Sequence, residues 1–444
     1  MTDISYVRKE MAPSQPAPAS TVGPVAWARK NLFASIPDTI LTLVSLWLIW
    51  LLVPPLIEFA FVNAVWSGEN REACIGQDGA CWAYVKAYLP QFIYGRYPDP
   101  ERWRVNLTFL LFFGGLIPMM IPSVPFKREN VIYMLVVFPT VALVLLTGGN
   151  MDFNGFLLPD TVIAPSMLKF WVDYAILTAI VMAAAAGIAK ASQSRAAPAA
   201  ISVLVIFGVL AAIMVVLEID FGLRPVPTEL WGGLLVTLVI AVTGIAVSLP
   251  LGVALALGRR SKMPIVRLVS IIFIEFWRGV PLITVLFMSS VMLPLFVPEN
   301  LTIDKLLRAL IGVALFAAAY MAEVIRGGLQ AIPKGQYEGA QALGLTYWQM
   351  MYHIILPQAL KLVIPGIVNT FIGLFKDTTL VLIIGLFDLL GQVQSSFTDP
   401  NWSSPYQSHT GYLFAATIFW IFCFGMSRYS VWTERRLDTG HKKR

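Results

Sequence analysis

Long apolar runs recur along the chain and are separated by short polar loops. About 20 consecutive apolar residues make a helix that crosses a bilayer, and a helix satisfies its own backbone hydrogen bonds there. Ten spans are predicted, with approximate bounds 38–63, 105–122, 129–148, 171–190, 199–219, 229–257, 268–297, 306–327, 361–385 and 410–432.

The seventh of these runs contains two charged residues, Glu275 and Arg278, near its start. We therefore predict that the first part of this run lies along the membrane interface and that the span itself begins near Gly279.

The amino-acid composition also indicates a protein that spans the membrane. The chain is 57% hydrophobic and 13% charged, whereas a soluble domain has roughly 25% charged residues. A soluble core of this length could not hide that much apolar surface, so we predict an all-α polytopic membrane protein. The polar, proline-rich residues 1–36 are predicted to be a flexible tail that contains a short interfacial helix near Trp27–Phe33. Residues 437–444 are predicted to be a basic tail.

Basic residues fall on alternate loops, which predicts the orientation. Ten spans place all of these loops on one side of the membrane, and the positive-inside rule makes that side cytoplasmic. Both termini are then cytoplasmic, and 64–104 is the longest loop on the opposite side. The residues are Arg29, Lys30, Lys127, Arg128, Lys190, Arg195, Arg259, Arg260, Lys262, Arg326, Lys334, Arg435, Arg436, Lys442, Lys443 and Arg444.

A polar loop with two glycines lies between the eighth and ninth spans. We expect a short helix over 337–343 that ends at Gly344, because glycine readily adopts the left-handed cap. The spacing of Thr346 and Gln349 predicts a capping box for a second short helix, and Leu356-Pro357 is expected to stop that helix. Two short helices at a sharp angle make a rigid knob, and its small residues would fit a groove on another protein.

The order Glu338-x-Ala340, Gly344, Ile354-x-Leu356-Pro357 resembles the signature loop of the membrane subunits of bacterial ATP-binding-cassette (ABC) importers. Gly339 departs mildly from the family, which usually has alanine there. We call residues 337–357 the signature loop. Other segments resemble the polar amino-acid branch of these permeases, and the resemblance covers about 228–436. Those segments are Ile274–Pro281, Tyr320–Gly328, Ala331–Gln336 and Asn369–Leu380.

This resemblance implies a five-helix type I permease core over 228–436 and a function. The chain is expected to be the permease subunit of an ABC importer that moves L-amino acids across the inner membrane by alternating access. A separate ATPase dimer would drive it, a periplasmic amino-acid-binding protein would deliver the substrate, and a second permease subunit, expected to be non-identical, would complete the path. The residues expected to dock on the ATPase are Glu338, Gly339, Ala340, Gly344, Ile354, Leu356 and Pro357.

The chain has no phosphate-binding glycine loop, so ATP is expected to bind the partner subunit and this chain is expected to hold no cofactor. His353, His409 and His441 are scattered, and no metal site or catalytic cluster is predicted. An enzyme is therefore not expected.

The first five spans, within 37–222, resemble the additional helices of the longer permeases of general L-amino-acid importers. Cys74 and Cys81 lie in loop 64–104, outside the predicted inner membrane, where the environment is oxidising. A disulfide between them is expected, and two free thiols are the alternative.

Charged residues at membrane depth are costly and usually face a partner or a cavity. Glu275 with Arg278, and Glu323 with Arg326, have the three-residue spacing that places two side chains on one helix face. Each couple is predicted to be an ion pair, and either a structural or a gating role fits it.

Lys376 and Asp377 lie at a predicted helix break in the ninth span, and Asn369 and Thr370 precede them. Opposite charges near mid-bundle suit a zwitterionic amino acid, so these residues are candidates for the substrate path, and a structural pair is the alternative. A secondary transporter that uses Lys376 and Asp377 for ion coupling is the second functional hypothesis. The absence of an internal inverted repeat in the sequence argues against it.

Overall fold

The computed structural model describes residues 23–153, 155, 157–159, 161–164, 166–191, 196–296 and 303–437. These residues are nearly all helical, and they contain isolated β-bridges but no strand. They divide into two compact units. The first contains the described residues up to Tyr84 together with Ser404–Thr410, and the second contains those from Val85 to Ser403 and from Gly411 onward.

The N-terminal half of the chain contains eight α-helices among its described residues. The first of them lies in the predicted tail, of which residues 1–22 are outside the described part, as are residues 438–444. A π-helical turn, Glu58–Val62, extends the second helix, and another, Tyr133–Val137, joins the fifth to the sixth. The helices are α1 (Pro24–Asn31), α2 (Ile36–Ile57), α3 (Trp82–Tyr94), α4 (Arg102–Met120), α5 (Lys127–Ile132), α6 (Phe138–Thr147), α7 (Met167–Ala191) and α8 (Ala196–Glu218).

The C-terminal half contains eleven α-helices among its described residues, several of them joined by tighter or wider turns. Met288–Met292 and Met351–Ile355 are π-helical turns, and Thr378–Ile384 is a 3-10 helix. The helices are α9 (Gly233–Arg259), α10 (Pro264–Gly279), α11 (Leu282–Phe287), α12 (Leu293–Phe296), α13 (Lys305–Ala331), α14 (Lys334–Ala342), α15 (Tyr347–Met350), α16 (Leu356–Leu362), α17 (Ile364–Asp377), α18 (Leu389–Ser395) and α19 (Gln407–Leu437).

The membrane spans match the predicted pattern. The described residues contain nine helices that are long and apolar enough to cross a bilayer, or ten if one bent pair is a single span. That pair, Pro264–Gly279 with Leu282–Phe296, bends by 104° at the place where the sequence predicts a change of direction. Pro281 causes the bend locally, because proline lacks an N–H group and pushes the preceding Val280 into extended backbone, as observed.

Close packing between α9 and α13 forms the centre of the second unit. At Gly252 of α9 an added Cβ would lie 2.7 Å from Cγ of Met321 in α13, and at Gly244 it would lie 2.8 Å from Cδ2 of Leu374 in α17. Small residues allow such close approach, which is how helices pack in membranes without a hydrophobic driving force. These helices therefore form a tightly joined frame.

In the first unit, Cys74 and Cys81 form a disulfide. The backbone N–H of Cys81 donates to Oγ1 of Thr410 at 2.9 Å, and Nε1 of Trp82 donates to the carbonyl of Ala60 at 2.7 Å. The ring closed by the two cysteines is therefore fixed at a buried position just before α3.

At the end of the second unit away from the signature loop, a buried carboxylate caps α18. Asp388 accepts hydrogen bonds from the N–H groups of Leu390 and Gly391 at 3.2 and 2.9 Å. The neighbouring N–H of Leu389 donates to Oγ1 of Thr237 at 3.0 Å. Burial raises the pKa of Asp388 from 3.8 to about 6, because the charged form loses water.

Asp388→Asn is expected to flatten the dependence of stability on pH. Because the pKa is higher in the folded protein, the folded state holds a proton that the unfolded state releases between about pH 4 and 6, so stability falls as the pH rises through that window. Asparagine does not titrate and caps a helix as well as aspartate does. Unfolding midpoints in detergent, measured between pH 4 and 7, should fall more steeply for the wild type. Parallel profiles for the two proteins would refute this.

Candidate functional site

The signature loop folds as two short helices on either side of Gly344. The helix α14 ends at Ala342, Gly344 has a φ of +70°, and the N–H of Leu345 donates to the carbonyl of Ala340 at 3.2 Å. This left-handed turn is costly for any residue with a Cβ. The predicted capping box is present, since Thr346 and Gln349 bond reciprocally at the start of α15.

One detail of the sequence prediction is wrong. Leu356-Pro357 does not stop the second short helix, because the chain continues from α15 through the π-helical turn into α16. Pro357 directly follows the π-helical turn, and such a local adjustment accommodates its missing N–H. The helical path is interrupted later, at Val363, whose φ of −107° and ψ of 11° separate α16 from α17.

The inner face of the signature loop is anchored to the ends of α9 and α13. Ala340, Met350 and Ile355 are buried in one apolar cluster with Leu257 of α9 and Leu329 of α13, and Leu356 and Ile354 pack against its edge. Burial of this kind holds the loop rigidly on the two helices.

The outer face of the same loop exposes large apolar side chains that the sequence reasoning did not single out. The exposed fractions are 77% for Leu343, 44% for Tyr347, 56% for Trp348 and 73% for Tyr352. Aromatic residues in an otherwise polar loop were the available signal, because such residues are enriched where proteins bind each other. Of the predicted docking residues, Glu338, Gly339, Gly344 and Pro357 are also exposed. Ala340 is buried in the inner cluster and Ile354 and Leu356 are half-buried against it, which corrects the expectation that these three residues form part of the docking surface.

Arg260, which directly follows α9, links α14 to α13 through hydrogen bonds. Its Nη1 donates to the carbonyl of Leu329 at 2.8 Å and to the hydroxyl of Tyr337 at 3.1 Å, and its guanidinium lies over the Tyr337 ring at 5.5 Å. The loop after α9 and the helix before the signature loop are therefore linked directly.

Glu323 is the centre of an ionic network that joins three helices. Its carboxylate accepts from Nη2 of Arg326 at 2.7 Å and from Nη1 of Arg259 at 2.9 Å, and Nη1 of Arg278 lies 3.7 Å away. The predicted pair of Glu323 with Arg326 is thus present within α13. Arg259 comes from α9 and Arg278 from α10.

The predicted pair of Glu275 with Arg278 is not formed, which corrects the sequence prediction. Glu275 instead lies 2.8 Å from Nη1 of Arg259, and Arg278 turns toward Glu323. The three-residue spacing does put both side chains on one side of α10. The neighbouring helices offer each of them an opposite charge, and these contacts replace the local pair.

The polar residues of the ninth span lie on α17 and at its end. Asn369 and Lys376, seven residues apart and both exposed, share one helix face. Thr370 donates to the carbonyl of Gly366 at 3.0 Å. Asp377, half-buried, is the last residue of α17, where the α-helix changes to 3-10 geometry. Lys376 and Asp377 form no ion pair with each other in the described structure, because adjacent helical residues point in different directions.

Among the described residues, no group of three or more histidine, cysteine, aspartate or glutamate residues could hold a metal ion.

Comparison with known proteins gives the family. Residues 248–439 match the model described as "Binding-protein-dependent transport system inner membrane component". The inner membrane amino-acid ABC transporter permease protein YhdY of Escherichia coli is 46% identical over 96% of this chain and 97% of its own length. The glutamate/glutamine/aspartate/asparagine transport system permease protein BztC of Rhodobacter capsulatus is 42% identical over the full length of both chains.

Among solved structures, the crystal structure of an amino acid ABC transporter with histidines matches 46% of this chain and 92% of its own chain. It has 30% sequence identity and a TM-score of 0.41. The two full-length relatives carry the assignment. The chain belongs to the family of amino-acid ABC transporter permeases, which are multi-pass inner membrane components of binding-protein-dependent transport systems.

Proposed function

We propose that this chain moves L-amino acids across the inner membrane by alternating access, as the permease subunit of an importer powered by a separate ATPase. The signature loop carries the proposal, because it combines an anchored inner face with an exposed aromatic outer face. A rigid knob of this kind passes movement between an external motor and the helices α9 and α13. Two nearly full-length relatives named as amino-acid permeases support the substrate class.

The partners follow from this mechanism. An ATPase dimer would bind the signature loop on the cytoplasmic side, where the charges of the basic loops also predict both termini. A periplasmic binding protein would deliver the amino acid, and a second, non-identical permease subunit would enclose the path. This chain would hold no cofactor and catalyse no reaction itself, because ATP binds the motor.

The substrate path is proposed to run past the exposed face of α17. Asn369 and Lys376 are polar, exposed and within a membrane span. Polar groups at this depth are expensive when they face lipid and usually face a cavity or a partner. A second permease subunit opposite this face would make the cavity, with Lys376 near the substrate carboxylate. Asp377, which is half-buried and points to a different side of the helix, would lie at the edge of this cavity, near the ammonium group.

Reconstitution tests the function. Vesicles that contain this chain, its ATPase and its second permease, with binding protein on the periplasmic side and ATP on the other, should accumulate radiolabelled amino acids. No accumulation by a correctly assembled complex would overturn the proposal. The secondary-transporter hypothesis expects uptake without ATP, and nothing in the comparisons supports it.

Neutralising the path residues is expected to lower uptake while the complex still assembles. Lys376→Met combined with Asp377→Asn should reduce the uptake rate by about tenfold, the effect of losing roughly 1.4 kcal/mol of interaction with a charged substrate. Thr379→Val, a neighbouring polar change outside the proposed path set, is the control. Unchanged uptake by a stable double variant would refute the path role and favour a structural one.

A further inference from the structure

The end of α3 meets the start of the permease core at the end opposite the signature loop. Gly95, just after α3, forms an isolated antiparallel bridge with Trp231, just before α9. The N–H of Arg96 donates to the carbonyl of Leu230 at 3.0 Å. A segment of the long loop 64–104 is thus joined backbone to backbone to the residues that directly precede the first helix of the core.

Glycines make this junction possible. An added Cβ would lie 2.1 Å from the carbonyl oxygen of Phe92 at Gly233 and 2.4 Å from Cα of Gly232 at Gly95. Gly95 and Gly233 also have φ angles of +67° and +63°, which disfavour other residues. Three glycines therefore let the end of α3 sit directly on the backbone that begins α9.

Side chains of α3 hold a second core segment, residues 385–399. The hydroxyl of Tyr88 donates a hydrogen bond to the carboxylate of Asp399. Nε2 of Gln91 donates to Oε1 of Gln392, which is buried in α18, at 3.1 Å. The Phe387 carbonyl, in turn, accepts from the N–H of Gly233 at 2.9 Å. The helix α3, the start of α9 and the 385–399 segment are therefore cross-linked.

Both core segments lead to parts of the chain for which a role is proposed above. Residues 385–399 follow the 3-10 helix that continues α17 beyond Lys376 and Asp377. The helix α9 packs along α13, which leads to the signature loop. A contact that fixes the start of α9 to the 385–399 segment therefore joins the outer end of the proposed path to the frame that carries the ATPase knob.

We propose that α3 is a brace that makes the outer end of the core move as one body, and that Tyr88 and Gln91 are its positioning residues. This inference rests on the proposed function. When the binding protein docks, a braced outer end transmits the displacement to α9, whereas an unbraced one absorbs it in local movement of residues 385–399. The brace thereby gives a role to part of the N-terminal extension of this permease.

The complete importer in vesicles tests the brace through the number of amino acids taken up per ATP hydrolysed. Tyr88→Phe with Gln91→Met should lower this ratio by about threefold, the effect of losing one to two ordinary hydrogen bonds, with no change in the amount of complex. Tyr94→Phe is the matched control, because the Tyr94 hydroxyl donates to Asn106 of α4 at 2.6 Å and not to the core. Asp399→Asn keeps an acceptor and should retain the wild-type ratio, whereas Asp399→Ala should lower it.

An unchanged ratio in the double variant, or an equal fall in Tyr94→Phe, would overturn the brace. Amide hydrogen exchange of residues 385–399 in the purified complex gives a second readout that does not need transport. Faster exchange in the double variant than in Tyr94→Phe supports the brace, and equal exchange overturns it. Absence of ATP-dependent uptake by the wild type is a different result, since it overturns the proposed function itself.

Discussion

Trp348→Ala combined with Tyr352→Ala is expected to weaken binding of the ATPase to this permease by about 100-fold. Both rings lie on the exposed outer face of the signature loop. Exposed aromatic residues at the centre of an interface often contribute more than 1 kcal/mol each, and two such losses amount to roughly 2.7 kcal/mol. Titration of purified ATPase onto the permease in lipid nanodiscs measures the change in Kd.

Two controls separate the interface from general damage. Tyr352→Phe keeps the ring and should retain nearly all of the affinity. Tyr412→Ala removes a similarly exposed ring near the start of α19, far along the chain from the signature loop, and should leave the Kd unchanged. An unaltered Kd in the double alanine variant would show that the ATPase does not use this face.

Glu323→Gln is expected to lower the free energy of unfolding by about 4 kcal/mol, because removing one partner of a largely buried ionic group leaves its opposite charges uncompensated. The Glu323 side chain is only 15% exposed and it is shared by Arg259, Arg278 and Arg326. With glutamine there, three guanidinium groups from three helices would face one another with Glu275 as the remaining nearby anion. Denaturant-driven unfolding in mixed micelles measures the loss.

Glu275→Gln provides the matched control for Glu323→Gln. Its side chain is 53% exposed and contacts Arg259, so it should cost less than about 1 kcal/mol, as exposed ion pairs do. An equal loss of unfolding free energy in the two variants would contradict this, because it would mean that Glu323 contributes no more to stability than a single exposed ion pair does.

Features set by short stretches of sequence were predictable. The spans follow from the lengths of the apolar runs, the break near Gly279 in the seventh run from its early charges, and the second short helix of the signature loop from Thr346 and Gln349. Each depends on residues within a few turns of one another. Local sequence chemistry decides them.

Features that depend on neighbouring helices were not predictable. The spacing of Glu275 and Arg278 shows that they share a helix face. It carries no information about Arg259 of the neighbouring helix, which forms the ion pair with Glu275 in place of Arg278. Pro357 was expected to end a helix, yet the preceding π-helical turn accommodates it. The meeting of Gly95 with Gly232 joins segments more than 130 positions apart, and no periodicity in either segment indicates it.

The central claim is that an external ATPase drives this helical bundle through the signature loop. Its most direct test is amino-acid uptake by vesicles containing the complete importer, with all ion gradients collapsed by ionophores and ATP supplied on the ATPase side. We expect uptake to continue at the same rate and to stop when the ATPase cannot hydrolyse ATP or when Trp348 and Tyr352 are alanine. Uptake that follows an imposed ion gradient and ignores ATP would contradict the account.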